Sequence, residues 1–550
     1  MKILLAAFNA KYIHSNPAIY SLKAYAGEQY EPYIELGEYT INHSRDQILA
    51  DIYKRKPDVI GFSCYIWNFT LIQELLGEIQ KLLPDTDLWL GGPEVSFECD
   101  VILEKYPYVK GVMIGEGEET FLSLLRYYLK EGEASLEDIP GLALSTGYTK
   151  ERELVNLSQI PFLYSAGNAD MLDDFEHRII YYESSRGCPF RCSYCLSSID
   201  KRVRLRDMEL VKKELQFFLD HKVPQVKFID RTFNCNHRHA KDIWQYLLEH
   251  DNGVTNFHFE VAADILDEEE LLLLRQMRPG LVQLEIGVQT TNPDTLREIR
   301  RVTDLEKLKQ VVTRIHAGRN VHMHLDLIAG LPFEDYESFA HSFGDVYAMK
   351  PQQLQLGFLK VLKGSYMYDM AEQYGLKYLS QPPYEVLFTN WLSYEDVLRL
   401  KQVEEMVELY YNSNQFTHTL PLLEQLYDNP FYLYEDLAAY YDEQGYFLKS
   451  PARSYRYQVL LEFAKSVDGA REDLYRESLT YDLYLRENAK SRPEFAGDIT
   501  PFKSAFHAFF AEEEKVRSLL PHYGSYDTKQ ISKMTHLEWF TYPVWDVERA

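Results

Sequence analysis

Along the first 130 residues, short unbroken apolar runs alternate with stretches of helical spacing. The runs at 3–8, 59–62, 88–90 and 109–114 read as strands buried on both faces. Between them, 18–25, 71–83 and 120–129 repeat apolar residues three and four apart. In the second of these, Leu71, Leu75, Leu76, Ile79, Leu82 and Leu83 share one side. This alternation predicts an α/β domain over 1–130 with a doubly wound parallel sheet. Ligands of such sheets sit outside the carboxyl ends of the strands. The turns that fall there are 9–16, 63–68, 91–93 and 115–117.

Residues 131–183 read differently. A charged stretch at 131–138 precedes a small hairpin over 141–156, and Pro140 and Pro161 break regular structure. This predicts a connector packed against both neighbours. The alternation returns from 184. Strands are expected at 225–230, 257–261, 282–288, 322–328 and 353–359, with helices at 239–250, 267–277 and 293–299. The pattern predicts a partial (β/α) barrel of about six strands over 184–370, with its site at the carboxyl ends of the strands. Asp230, Arg231, Asn234, Glu260, Gln289 and Asp326 fall at those ends, and His322, His324 and Asp326 alternate on one strand face. From 371 to 550 the pattern is helical, at 394–411, 430–443, 454–467, 473–487 and 500–510, with dense tyrosine. A mostly helical C-terminal domain is expected there. Its aromatics read as core, and its place as a cap that shapes the substrate cavity.

Charge and cysteine usage narrow the function. A formal net charge of −26 argues against a broad phosphate-binding surface, so nucleic acid is not an expected partner. The densest basic run, 201–206, reads first as a solvated strand face neutralised by nearby carboxylates and second as a contact for an anionic substrate. Six cysteines with no disulfide-like framework suit a reducing cytoplasm. No apolar run approaches the ~20 residues of a membrane span. Residues 2–8 could pass for a signal core, but Asn9 interrupts them and no small-residue cleavage site follows; they read as a buried strand.

Half of the cysteines lie in one short stretch, Arg186-Gly187-Cys188-Pro189-Phe190-Arg191-Cys192-Ser193-Tyr194-Cys195. Cys188, Cys192 and Cys195 stand at C-x3-C-x2-C spacing. Thiolates are the usual ligands of iron–sulfur clusters. Three of them on a [4Fe–4S] cluster leave one iron open to a ligand carrying an amine and a carboxylate. A structural zinc site wants four protein ligands, and the loop offers no fourth Cys or His. Gly187 and Pro189 suit a backbone that bends to aim three thiols at one point.

The spacing, with Tyr194 just before the last cysteine, resembles the radical S-adenosylmethionine (SAM) superfamily. Ahead of it, Asn9-Ala10-Lys11-Tyr12-Ile13-His14-Ser15, Gly61-Phe62-Ser63, Gly91-Gly92-Pro93-Glu94 and Gly115-Glu116-Gly117-Glu118 are similar to the cobalamin-binding domain that precedes many radical SAM domains. Together they resemble the cobalamin-dependent radical SAM enzymes, in the group with a helical C-terminal domain of undefined function. The resemblance implies three cofactors: a [4Fe–4S] cluster on Cys188, Cys192 and Cys195, SAM, and cobalamin. It assigns Asn9, Tyr12, His14, Ser63, Trp67, Gly91, Gly92, Gly115, Glu116 and Gly117 to the corrin side. Tyr194, Asp230, Asn234, Glu260, Gln289, Asp326, Leu331 and Pro332 fall to SAM or its surroundings. For single residues another reading stands beside this one: each of the strand-end polar groups Asp230, Asn234, Glu260, Gln289 and Asp326 as a cap of neighbouring backbone, His14 as a hydrogen-bonded structural histidine, and Trp67 as a core aromatic rather than a cover for the lower face of cobalt. The base-off signature Asp-x-His-x-x-Gly is absent, so no histidine of that motif can ligate cobalt.

The implied activity is reductive cleavage of SAM to a 5′-deoxyadenosyl radical, followed by methylation of an unactivated carbon of a small molecule or peptide. Flavodoxin or ferredoxin is the implied electron donor. A cyclase or oxidoreductase of the same build is the first alternative. A tRNA methylthiotransferase is another, but that family carries extra N-terminal cluster cysteines where this chain has only Cys64 and Cys99.

Overall fold

Every residue of Ile3–Asn9 (β1) is buried. Leu4, Ala6 and Phe8 enter one hydrophobic cluster, and Ile3, Leu5 and Ala7 another. That division is the consequence of a period of two in a strand covered on both faces. The computed structural model describes residues 1–132, 134–164, 178–487, 489 and 491–547. Parts of the expected connector, residues 133 and 165–177, and of the expected C-terminal domain, 488, 490 and 548–550, lie outside the described residues.

Ile34–Thr40 (β2), Val59–Ser63 (β3), Asp87–Gly91 (β4) and Val109–Met113 (β5) join β1, followed by the hairpin Leu142–Leu144 (β6) and Gly147–Tyr148 (β7). The seven-stranded sheet runs β2-β1-β3-β4-β5-β6-β7. The first five strands pair in parallel and the hairpin adds antiparallel. Pro17–Ala26 (α1), Arg45–Arg55 (α2), Phe69–Leu82 (α3), Cys99–Lys105 (α4) and Gly117–Leu129 (α5) connect the strands. In α3 only Leu75, Leu76 and Ile79 of the expected stripe are buried, joined by Phe69 and Ile72, while Leu71 and Leu83 are partly buried and Leu82 is 46% exposed, so the buried face is turned from the one the spacing suggested. The β2 strand was not foreseen. It is the edge strand and only partly buried, so Glu35 and Glu38 interrupt any apolar run.

The second sheet begins one strand before the cysteine loop, at Ile180–Tyr182 (β8). The short ribbon Ser185–Arg186 (β9) and Arg204–Leu205 (β10) then brackets the loop. Gln225–Phe228 (β11), Asn256–Val261 (β12), Val282–Gln289 (β13), His322–Ala329 (β14) and Gln353–Phe358 (β15) complete a parallel sheet in the order β15-β14-β13-β12-β11-β8. This is an open barrel of six strands, with Met208–Asp220 (α6), His237–Glu249 (α7), Glu268–Gln276 (α8), Pro293–Glu298 (α9), Leu305–Gly318 (α10) and Tyr336–Tyr347 (α11) in the connections. At three residues, β8 is too short to show a period, so the sequence pattern misses it.

The chain divides into two compact units, Met1–Val397 and Leu398–Ala550. The second is helical, with Pro430–Glu443, Arg456–Asp468, Glu472–Arg486 and Lys503–Val516 among its helices. Its core contains Tyr410, Tyr434, Tyr441, Tyr457 and Tyr475, all fully buried. The Tyr410 and Tyr441 hydroxyls lie 2.6 Å apart, which satisfies the polar tip of each buried ring. Among the described residues no helix is long and apolar enough to cross a membrane.

Candidate functional site

The cysteine loop is shaped from its first residues. Asp230, fully buried after β11, accepts from Ser184 N (2.9 Å), Ser184 Oγ (2.6 Å) and Ser185 Oγ (2.6 Å). Burial raises its carboxyl to about 6 against the pull of those donors. Gly187 follows at φ 98°, and a Cβ there would strike the Arg202 carbonyl, so only glycine lets the two backbones touch. The Cys188 amide donates to Asp200 O at 3.2 Å, and Ser193 N to Ile299 O at 2.9 Å. All three thiols of the loop are free, with Cys188 and Cys192 buried and Cys195 half-buried. Arg301 Nη1 lies 3.7 Å from Cys192 Sγ and 3.4 Å from the Tyr194 hydroxyl, and its Nη2 donates to Gly287 O. Burial pushes the Cys192 thiol up while the Arg301 charge opposes the shift. Arg301 has no motif around it, and the sequence reading missed it.

The inward positions of the barrel are polar. Register places Lys227 beside His258, Glu260 beside Glu285, Glu285 beside His324, and Asp326 beside Gln355. A closed barrel fills this space with branched apolar side chains. Here Glu285 Oε2 takes Lys227 Nζ at 2.9 Å and has His258 Nε2 at 3.0 Å. Burial opposes ionisation of Glu285, but His258 and Lys227 outweigh it and hold the carboxyl at about 2. Glu260, pushed up mainly by burial and then by Glu285, reaches about 7. His324 Nε2 and Asp326 Oδ1 are 3.2 Å apart but out of hydrogen-bond alignment. Those two atoms and Gln289 Oε1 are buried without a hydrogen-bond partner among the described residues. Gln289 also holds φ at 75°, unusual for a residue with a Cβ.

Asp326 makes this lumen testable. Burial, then the charges of Glu285 and Glu260, raise it from 3.8 to about 8. Between those values the folded chain keeps a proton that the unfolded chain releases, so the group removes stability as pH rises. Asp326→Asn lacks that proton exchange. Its melting temperature is expected to gain on the parent's continuously between about pH 5 and pH 8. A calorimetric difference independent of pH would mean that Asp326 is ionised in the folded chain.

Asp230 and Asn234 are not available to a ligand, which corrects their expected place beside SAM. The serine contacts consume Asp230, and Asn234, fully buried, clasps Ala262 through O (2.8 Å) and N (2.9 Å). Leu331 is fully buried in an apolar cluster with Ile299, against which Tyr194 packs, and Pro332 is buried beside it.

On the corrin side, the candidate residues gather at the carboxyl ends of β1, β3, β4 and β5. Asn9 Nδ2 donates to His14 O (2.8 Å) and Glu38 Oε1 (2.7 Å). His14 Nδ1 meets the Tyr181 hydroxyl at 2.6 Å, so it ties this loop to β8. Tyr12 is 58% exposed and lies edge-on to His43. Ser63 Oγ accepts from Asn16. Trp67 is 43% exposed, which rules it out as a core aromatic; it stacks on Tyr65 at 4.4 Å and donates to Phe8 O at 3.1 Å. Gly91 ends β4 and Gly92 follows it, and Gly115, at φ 77°, has no atom of the described residues within 4 Å of where a Cβ would stand. That open backbone turn, leading into Gly117 at the start of α5, fits the close approach of a bulky planar group.

Glu116 is a fastener rather than a free ligand. It receives Arg204 Nη1 (3.1 Å), Val155 N (2.9 Å) and Arg186 Nη1 (3.3 Å). Burial raises its carboxyl, but the arginines and the amide win and hold it below the usual range. Arg186 also donates to Glu118 (3.0 Å) and Glu183 (2.8 Å). The ribbon that frames the cysteine loop is thereby bolted to the turn after β5.

Family models match both halves of this arrangement. The one described as B12 binding domain covers residues 3–125, and the one described as Radical SAM superfamily covers 182–346. The chain carries a B12-binding domain followed by a radical SAM domain. The cofactors of these domains are cobalamin, a [4Fe–4S] cluster and SAM. Residues 372–550 match a family described as a protein of unknown function, DUF4080. The cobalamin-dependent radical SAM methyltransferase TokK of Streptomyces tokunonensis is 26% identical over 58% of this chain and 50% of its own length. The anaerobic magnesium-protoporphyrin IX monomethyl ester cyclase of Rubrivivax gelatinosus is 23% identical over 54% of this chain and 56% of its own. The chain thus spans about half the length of these curated relatives. Among solved structures, the cobalamin-dependent SAM radical enzyme OxsB with aqua-cobalamin bound shares the fold at a TM-score of 0.60 and 15% identity, over 88% of this chain and 81% of its own.

Proposed function

We propose that the chain cleaves SAM reductively and methylates an unactivated carbon of a polar small molecule or peptide. The observation that carries this reading is the bolt of Arg186 and Arg204 onto Glu116, which brings the cysteine loop and the strand-end turns of the first sheet into one assembly. When bound, the cluster and SAM supply a carbon-centred radical and cobalamin supplies a methyl group. The protein's share is placement. Cys188, Cys192 and Cys195 hold the cluster. Gln289 Oε1 and the Glu260 and Asp326 carboxyls accept from the polar groups of SAM, with Tyr194, Leu331 and Pro332 bordering its adenine. The loops carrying Asn9, Tyr12, His14, Ser63, Trp67, Gly91, Gly92, Gly115 and Gly117 would cradle the corrin. The charged lumen around Lys227, His258, Glu285 and His324 selects a substrate that forms hydrogen bonds over an isoprenoid-like one, because burying these groups against hydrocarbon would leave them unpaired. Free thiols throughout suit a reducing cytoplasm. Flavodoxin or ferredoxin supplies the electron.

A cyclase or oxidoreductase is the second reading, and the same lumen favours it. Oxidation of a substrate radical releases a proton, which His324, held toward its neutral form by burial, can accept, whereas methyl capture releases none. The test is anaerobic reconstitution with iron, sulfide, cobalamin and methyl-deuterated SAM, then incubation with a metabolite extract. Methyl transfer yields 5′-deoxyadenosine and S-adenosylhomocysteine together, with label on a substrate carbon. 5′-Deoxyadenosine without S-adenosylhomocysteine selects the cyclase or oxidoreductase reading, and absence of both rejects the radical assignment.

A further inference from the structure

The cysteine loop and the segment laid against it carry positive charge into solvent, against the sign of the rest of the chain. Residues 187–202 hold Arg191, Lys201 and Arg202 with one carboxylate, Asp200, in a protein of net charge −26. Arg191 lies between the first two cysteines, and all three cations are exposed. Segment 200–202 touches the loop directly, through the Cys188 amide on Asp200 O and the Gly187 backbone against the Arg202 carbonyl. Pro189 is exposed and Ile199 is 52% exposed, which adds apolar surface to the same stretch.

The neighbouring arginines make the contrast. Arg186, Arg204 and Arg206 each meet carboxylates, on Glu183 and Glu118, Glu116, and Glu214 respectively. Of the exposed cations only Arg202 meets one among the described residues, Asp200 at 3.5 Å. The inner cations are therefore structural, and the outer ones are left to a partner. Charge that only kept an acidic chain soluble would share its sign.

We propose that Arg191, Lys201 and Arg202, with Pro189 and Ile199, form the docking rim for an acidic one-electron carrier protein bearing a flavin or an iron–sulfur centre. This rests on the cluster assignment proposed above. Electron tunnelling falls steeply with distance, so a carrier must dock beside the loop that holds the cluster. Opposite charge across that rim steers encounter. One electron leaves the carrier and takes the cluster from its 2+ to its 1+ state; no proton, bond or group is transferred.

The experiment compares the reconstituted full chain with the double variant Lys201→Glu/Arg202→Glu and with a charge-matched control, Lys81→Glu/Lys110→Glu. Bleaching of the cluster's visible absorbance is followed after mixing with a reduced acidic flavodoxin or with dithionite. Flavodoxin should bleach the rim variant about tenfold more slowly than the parent or the control, with a parent rate that falls as salt is added. Dithionite should bleach all three alike, and calorimetric binding of flavodoxin should weaken in the rim variant alone. Equal flavodoxin rates in all three proteins, with dithionite effective, overturn the rim and leave the cluster standing. An absence of cluster absorbance in the reconstituted parent overturns the cluster assignment and the rim with it.

Discussion

Replacing Cys188, Cys192 and Cys195 with alanine is expected to take 5′-deoxyadenosine formation from a measurable rate to none, while cobalamin still binds. The three thiols come from one loop of the second sheet, and the turns proposed for the corrin come from the first, so the two sites should fail separately. Each single substitution should give the same loss, because two thiolates cannot leave a stable cluster with one defined open iron. The comparison is with Cys64 and Cys99. Both are fully buried among the apolar side chains of the first sheet, and each thiol donates to a backbone carbonyl, of Phe62 and Val95. Alanine there costs packing and stability and leaves SAM cleavage intact. Chromatography of the products beside iron content decides it. A triple variant that still made 5′-deoxyadenosine would end the cluster assignment.

Arg186→Met should be the most damaging single change away from the cysteines. The guanidinium faces three carboxylates, and the side chains of Glu116 and Glu118 are only 13% and 6% exposed. Removing the cation leaves like charges facing one another in a poorly solvated place. Breaking a buried pair from one side costs about 3–5 kcal/mol. Arg186→Lys keeps the charge but not the fork that reaches Glu183 and Glu118 together, so an intermediate loss is expected. Denaturant melts of the parent and the two variants give the ranking. Equal midpoints for all three would mean that water already screens the cluster of charges. Because Arg186 is the residue before Gly187, the methionine variant should also incorporate less iron on reconstitution.

Both predictions follow from contacts between segments far apart in sequence, and that separation marks how much of the site could be read in advance. The alternation of buried runs and amphipathic stretches foretold two α/β sheets, because burial on both faces leaves a continuous apolar run and burial on one side of a helix leaves a stripe. The cysteine triad could be singled out in the sequence because its three thiols lie within a few residues of one another, and the fold keeps them on one loop. Where a strand was short, as at Ile180–Tyr182, or at a sheet edge, as at Ile34–Thr40, the pattern was too weak to show.

Only the tertiary structure decided which polar residues are spent and which are open. Asp230 and Asn234 sit at strand ends like Glu260 and Gln289. The first two are satisfied by Ser184, Ser185 and Ala262, while Gln289 Oε1 and Asp326 Oδ1 remain without a hydrogen-bond partner among the described residues. Glu116, placed by sequence with the corrin, is held by Arg204 from 88 residues away, and Glu118 by Arg186 from 68. A polar side chain at a strand end looks the same whether a ligand or a distant arginine answers it. Hydrophobic periodicity is local and survives in one dimension; the pairing of charges depends on which loops the fold brings together, and no local spacing encodes it.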